Sequence, residues 1–142
     1  MKRLALVVVA LVLIAPAAIA SGSSAPGYYG CNALFLKTKP HTKAAVRPKT
    51  IVVACADAGF ELLGLRWTSW TAAVAHATGT SSVNDCTPNC AAGHFHSYPA
   101  TVALSRARTC KNGVRAFTQL AWTYTGKRPA GAAKHGTERY SC

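Results

Sequence analysis

The sequence predicts an all-β fold, a small disulfide-stapled sandwich or barrel of about five strands. Three observations predict it. Between Thr50 and Gly126 the chain runs as short β-branched and aromatic stretches separated by Gly, Pro and Asn turn residues. The one Ala-rich stretch that could be helical, Thr71 to Val83, ends in Thr78-Gly79-Thr80-Ser81-Ser82-Val83, a poor helix sequence. Six cysteines, Cys31, Cys55, Cys86, Cys90, Cys110 and Cys142, follow an export signal in a chain of 142 residues. An even count in a short exported chain reads as a disulfide framework that supports a modest core.

The export signal is residues 1–20. Lys2 and Arg3 form a basic start, Leu4 to Ala15 is apolar, and Ala18-Ile19-Ala20 is a small-x-small cleavage site before Ser21. The apolar run falls short of the roughly 20 residues that a membrane span needs. Serine rather than cysteine after the cleavage site argues against a lipid anchor there, and no LPxTG stretch occurs near the C-terminus. The expectation is a released, extracellular protein with no membrane span.

Residues 21–49 read as a flexible basic N-terminal segment. Residues 21–30 are rich in Ser, Gly and Pro, and Lys37 to Lys49 is a basic arm with Pro40 and Pro48, the latter disfavouring helix at Arg47. Residues 50–126 form the β domain. Ile51 to Cys55 suits a buried strand, and Ala58-Gly59 a turn. Leu62, Leu63, Leu65 and Trp67 lead a second strand. Trp67 and Trp70, three apart, would face opposite sides of a regular strand, so that strand is covered on both faces, ends, or bulges between them.

A third strand lies within 71–83, followed by turn residues from Asn84 to His94. A fourth spans Tyr98 to Ser105, with Val102 and Leu104 inward and Thr101, Ala103 and Ser105 outward. Asn112-Gly113 signals a hairpin. The last strand starts at Val114, with Ala116, Thr118, Leu120, Trp122 and Tyr124 sharing its parity. Residues 127–142 form a basic tail tied down by Cys142. For the bridges, Cys31 is expected to reach Cys142 and tie the two ends. Cys86 and Cys90 each go to a different strand end, since joining them would close a very small loop.

The formal net charge is +12, or +10 once Lys2 and Arg3 leave with the signal. Only Asp57, Glu61, Asp85 and Glu138 oppose it. Such a field attracts anionic cell-wall or extracellular polymers, nucleic acid or anionic lipid. Lys37, Lys39, Lys43, Arg47 and Lys49 on the arm are the candidate anion-binding residues; a solvated linker is the plainer account of them.

Arg47-Pro48, Ile51 to Asp57, Trp67-x-x-Trp70, Ala77-Thr78-Gly79 and Cys86-x-Pro88-Asn89-Cys90-Ala91-x-Gly93 occur in that order, followed by the strand ending at Cys110. This stretch, about residues 47 to 110, resembles a group of small secreted proteins of high-GC Gram-positive bacteria whose function is not established. The resemblance implies export and bacterial origin and supplies no catalytic residue. Cys31, Cys142 and both basic ends lie outside it.

Chemistry-bearing constellations are few. Cys86, Cys90, His94 and His96 could form a tetrahedral zinc site, but in an oxidising compartment the two cysteines are better read as disulfides, and the spacing is not that of a structural zinc motif. No Gly-x-Ser-x-Gly elbow, P-loop or dinucleotide motif occurs. Asp57 and Glu61 are the only close carboxylates, and a turn acid beside a solvated glutamate explains them. Of Trp67, Trp70 and Trp122, at least two are expected in the core rather than as exposed stacking platforms. No cofactor is implied.

The first expectation is therefore a secreted, non-enzymatic protein that binds an anionic polymer or another protein. The alternatives are a secreted protease inhibitor presenting residues 86 to 97, and a metal-binding protein using Cys86, Cys90, His94 and His96.

Overall fold

The computed structural model describes residues 25–35, 37, 39 and 42–142. The export signal lies outside the described residues. The strands are β1 (Gly27–Tyr28), β2 (Ile51–Val52), β3 (Phe60–Trp70), β4 (Ala75–Asn84), β5 (Phe95–Thr109), β6 (Arg115–Tyr124) and β7 (His135–Arg139), with a 3-10 helix at Gly30–Phe35 after β1. They form one sheet in the order β1-β6-β5-β4-β3-β2, with β7 also on β6. All pairings are antiparallel except β1 with β6.

The all-β expectation holds, as a sheet curled into a half-barrel. Two strands lie outside the 50–126 block: β1 in the N-terminal segment, where Gly27 and Tyr28 are buried, and β7 in the C-terminal tail.

The N-terminal segment crosses from β6 towards β3. Tyr28 and Ala45 exchange backbone hydrogen bonds of 2.8 and 2.9 Å, and Leu65 N–H donates to Lys49 O at 3.0 Å. The indole N–H of Trp67 donates to Pro48 O (2.8 Å) and that of Trp70 to Pro26 O (2.9 Å). Both indoles thus keep partners while their rings pack against the core.

The spacing of Trp67 and Trp70 is resolved by a bulge: register shifts between Trp67, opposite Ala77, and Ser69, opposite His76. The inserted residue puts both rings on the core face, with centroids 4.6 Å apart in an edge arrangement. A second irregularity lies between Leu63 and Arg66. There Gly64 adopts φ 59°, and a side chain on Gly79 would come within 2.7 Å of Leu63 O.

The core gathers Tyr28, Ile51, Leu62, Leu65, Val102, Leu104, Phe117 and Leu120. The outward and inward assignments in β5 agree with burial at Val102 and Leu104. The single parity expected for β6 does not hold. Phe117 joins the main core with Leu120, three residues on, whereas Ala116 lies in a second cluster with Tyr29 and Cys110. The alternation changes near Thr118, whose hydroxyl donates to the carbonyl of Arg106 (2.8 Å), a residue at φ 55°.

The bridges are Cys31–Cys55, Cys86–Cys90 and Cys110–Cys142, which corrects the expected pairing of Cys31 with Cys142. The reason is β7. It returns antiparallel along β6, with Gln119 opposite Arg139, so the chain end travels back to the β5–β6 turn where Cys110 lies. Cys31, in the 3-10 helix beside β2, meets Cys55 just after β2. Cys86 and Cys90 lie in one turn between β4 and β5 and close the small loop that the sequence argument disfavoured.

Candidate anion-binding surface

Among the described residues no helix is long and apolar enough to cross a membrane. Lys37, Lys39, Lys43, Arg47 and Lys49 are all exposed. Their segment is a closed loop and not a loose arm: the Cys31–Cys55 bridge encloses it, Ala45 is bonded to Tyr28, and the carbonyls of Pro48 and Lys49 accept bonds from β3. Within it, Thr42 turns the chain by donating its backbone N–H and its hydroxyl to Lys39 O at 3.1 and 2.8 Å. None of the five cations has a carboxylate within 4.0 Å among the described residues. Their charge is not neutralised internally.

The four carboxylates are placed elsewhere. Asp57 accepts from Gly59 N–H at 2.9 Å. Glu61 and Glu138 sit on β3 and β7. Asp85 organises the β4–β5 loop. One of its oxygens accepts from the backbone N–H groups of His94 (2.9 Å) and Thr87 (3.0 Å), and the other lies 2.8 Å from His96 Nε2. Asn84 completes the clasp, donating to Cys90 O (2.8 Å) and accepting from Cys86 N–H (2.9 Å). A Cβ on Gly93 would collide with Asn84 Oδ1, so the loop closes on a residue without a side chain.

Cys86 and Cys90 are in a disulfide, as the oxidising compartment implied, and are not free for the zinc alternative. Two of its four ligands are thereby removed, and a third, His96, faces Asp85. No group of three or more His, Cys, Asp or Glu suited to a metal ion occurs among the described residues. The clasping roles of Asn84 and Asp85 escape the sequence reading, although both are residues that bond their own nearby backbone in turns.

The Asp85 carboxyl is held well below the usual carboxylate range. The bond from His94 N–H is the largest cause, followed by those from His96 and Thr87. A depressed folded value means that the clasp contributes above the unfolded value, about 3.9, and is lost as pH falls through the folded one. Amide exchange at His94 and Thr87 is therefore expected to quicken relative to β5 amides below about pH 4. Protection there that tracks β5 throughout acid titration would refute the role of Asp85.

The tryptophans are not exposed platforms. Trp67, Trp70 and Trp122 are partly buried against the core, and Trp122 meets Phe60 edge-on at 5.0 Å. The basic loop is thus the strongest candidate site, and the clasped β4–β5 loop the second. No family model, no curated protein and no solved structure was found to match this chain.

Proposed function

We propose that the protein is exported and non-enzymatic, and that it binds an anionic cell-wall or extracellular polymer through the loop carrying Lys37, Lys39, Lys43, Arg47 and Lys49. The observation that carries the reading is that these five exposed cations have no carboxylate partner among the described residues while their backbone is tethered at Cys31, Ala45 and Lys49. A tethered loop loses less chain entropy on binding than a free tail. Export is supported by the basic-apolar-small pattern of residues 1–20 and by three disulfides.

A single-stranded DNA oligonucleotide is a suitable probe polyanion, because its salt dependence counts the phosphates contacted. Changing all five cations to Gln is expected to weaken binding and to reduce the slope of log affinity against log salt by up to about 3.5. Unchanged affinity and slope in a variant with wild-type circular dichroism would overturn the assignment.

A second reading, docking to a protein, is favoured by the β4–β5 loop. Its disulfide, its Asn84 and Asp85 clasps and the neighbouring Phe95, 53% exposed, form a pre-shaped projection. A protease panel tests the inhibitor version of it. Inhibition abolished by Phe95→Ala or by substitutions in 87–92 would support it, and no inhibition of any protease would remove it.

A further inference from the structure

The sheet face opposite the core carries a groove of about 340 Å³ lined chiefly by Thr68, His76, Thr78, Thr101, Ala103 and Thr123. Its pattern follows from register. Arg66, Thr78, Thr101, Thr123 and His135 are successive partners across β3, β4, β5, β6 and β7. Side chains directly opposite in an antiparallel pair project to the same face, so three hydroxyls line up at strand spacing, roughly 4.8 Å, between a guanidinium and an imidazole. The adjacent row is His76, Ala103, Ala121 and Thr137, which places two methyl groups beside the hydroxyls.

The hydroxyls are unevenly committed. Thr123 Oγ1 is bonded to His135 Nδ1 at 2.9 Å, and Thr68 donates to His76 O at 3.2 Å. The hydroxyls of Thr78 and Thr101 and the His76 imidazole have no hydrogen-bond partner among the described residues. The carboxylates stand away from this row. Glu61 pairs with Ser82, four residues along β4 from Thr78, roughly 13 Å at strand rise. Glu138 stands opposite Leu120, on the core row. Asp57 and Asp85 lie in loops.

We infer that this groove is a binding site for an anionic glycan strand, separate from the basic loop. A pyranose presents an apolar C–H face to methyl groups and a rim of hydroxyls to threonines, and an acidic substituent pairs with the Arg66 guanidinium, which stands opposite Thr78 at the end of the row and beside the groove. No Phe, Tyr or Trp lines the groove, which disfavours a flat aromatic ligand. A bare phosphate would find hydroxyls but no buried cation.

The test is amide-resolved NMR titration of the full mature protein with trigalacturonate, neutral cellotriose and tripolyphosphate. Trigalacturonate is expected to shift the amides of Thr78, Thr101 and Thr123, to bind more tightly there than cellotriose, and to do so also in the five-Gln loop variant. Loss of the loop's DNA binding therefore leaves this result readable. The double variant Thr78→Val, Thr101→Val, which retains β-branching at both positions and leaves the Thr123–His135 bond in place, should weaken trigalacturonate about tenfold, as expected for two lost hydrogen bonds. Shifts confined to the basic loop, or wild-type affinity in the double variant, would overturn the site. Equal binding of cellotriose would overturn its anionic character, and equal shifts by tripolyphosphate its assignment to a glycan.

Discussion

Replacing Phe117 by alanine is expected to cost about 3–5 kcal/mol, a large share of the ~5–15 kcal/mol available to a small domain. Phe117 is 2% exposed and contacts the Trp70 ring edge-on at 5.6 Å. It also stands opposite Tyr28 where β1 pairs with β6. The truncation leaves a void at the place where the N-terminal segment is pinned, and the rigid neighbours Trp70 and Tyr28 cannot collapse into it fully. Urea unfolding should show a lower midpoint, and near-ultraviolet circular dichroism should lose Trp70 signal. Val114→Ala, three residues earlier and 38% exposed, should stay within about 0.5 kcal/mol of wild type. Comparable losses at the two positions would contradict the core assignment of Phe117.

Removing the Cys110–Cys142 bridge by a double alanine substitution is expected to cost roughly 3–4 kcal/mol. The bridge spans 32 positions, and the unfolded chain regains the freedom of that loop. Cys31–Cys55, spanning 24, should cost nearly as much, whereas Cys86–Cys90, spanning 4, should cost only about 2 kcal/mol. Paired substitution avoids leaving an odd thiol. Losing Cys31–Cys55 should also weaken polyanion binding, since the basic loop would then be tethered only by its backbone bonds. Denaturant unfolding of the three double variants measures the order. A cost for the small ring equal to that of the long ones would show that native-state contacts, and not loop length, set these contributions.

β5 was legible in the sequence because its alternation is read against a single face. Val102 and Leu104 alternate with Thr101 and Ala103 on β5, and burial follows the pattern. The strands that were missed, β1 and β7, are short and carry no such alternation. Gly27 is in strand because Ala116 lies beside it, and His135–Arg139 because β6 offers an unpaired edge. Trp67 and Trp70 left three options open, and the bulge at Thr68 and Ser69, a matter of pairing with His76, selected one.

The candidate sites divide in the same way. The five loop cations were legible as a basic run, because charge is a property of composition. The clasp of Asn84 and Asp85 was not, because it depends on His94 and His96 returning to the same turn. The row Thr78, Thr101 and Thr123 was invisible, since its members are separated by more than 20 positions each and meet only through register.

By itself the sequence determined the export-signal pattern, the excess of cations, the cysteine framework and the all-β class, since each rests on composition or on periodicity within a few residues. Only the tertiary structure decided which cysteines meet, which face each tryptophan takes, and that three distant threonines form one row. Those depend on strand order and register: on the bulge of β3 against β4, on the β4–β5 and β5–β6 ladders and on the return of β7 along β6, pairings between distant segments that no local stretch of the chain encodes.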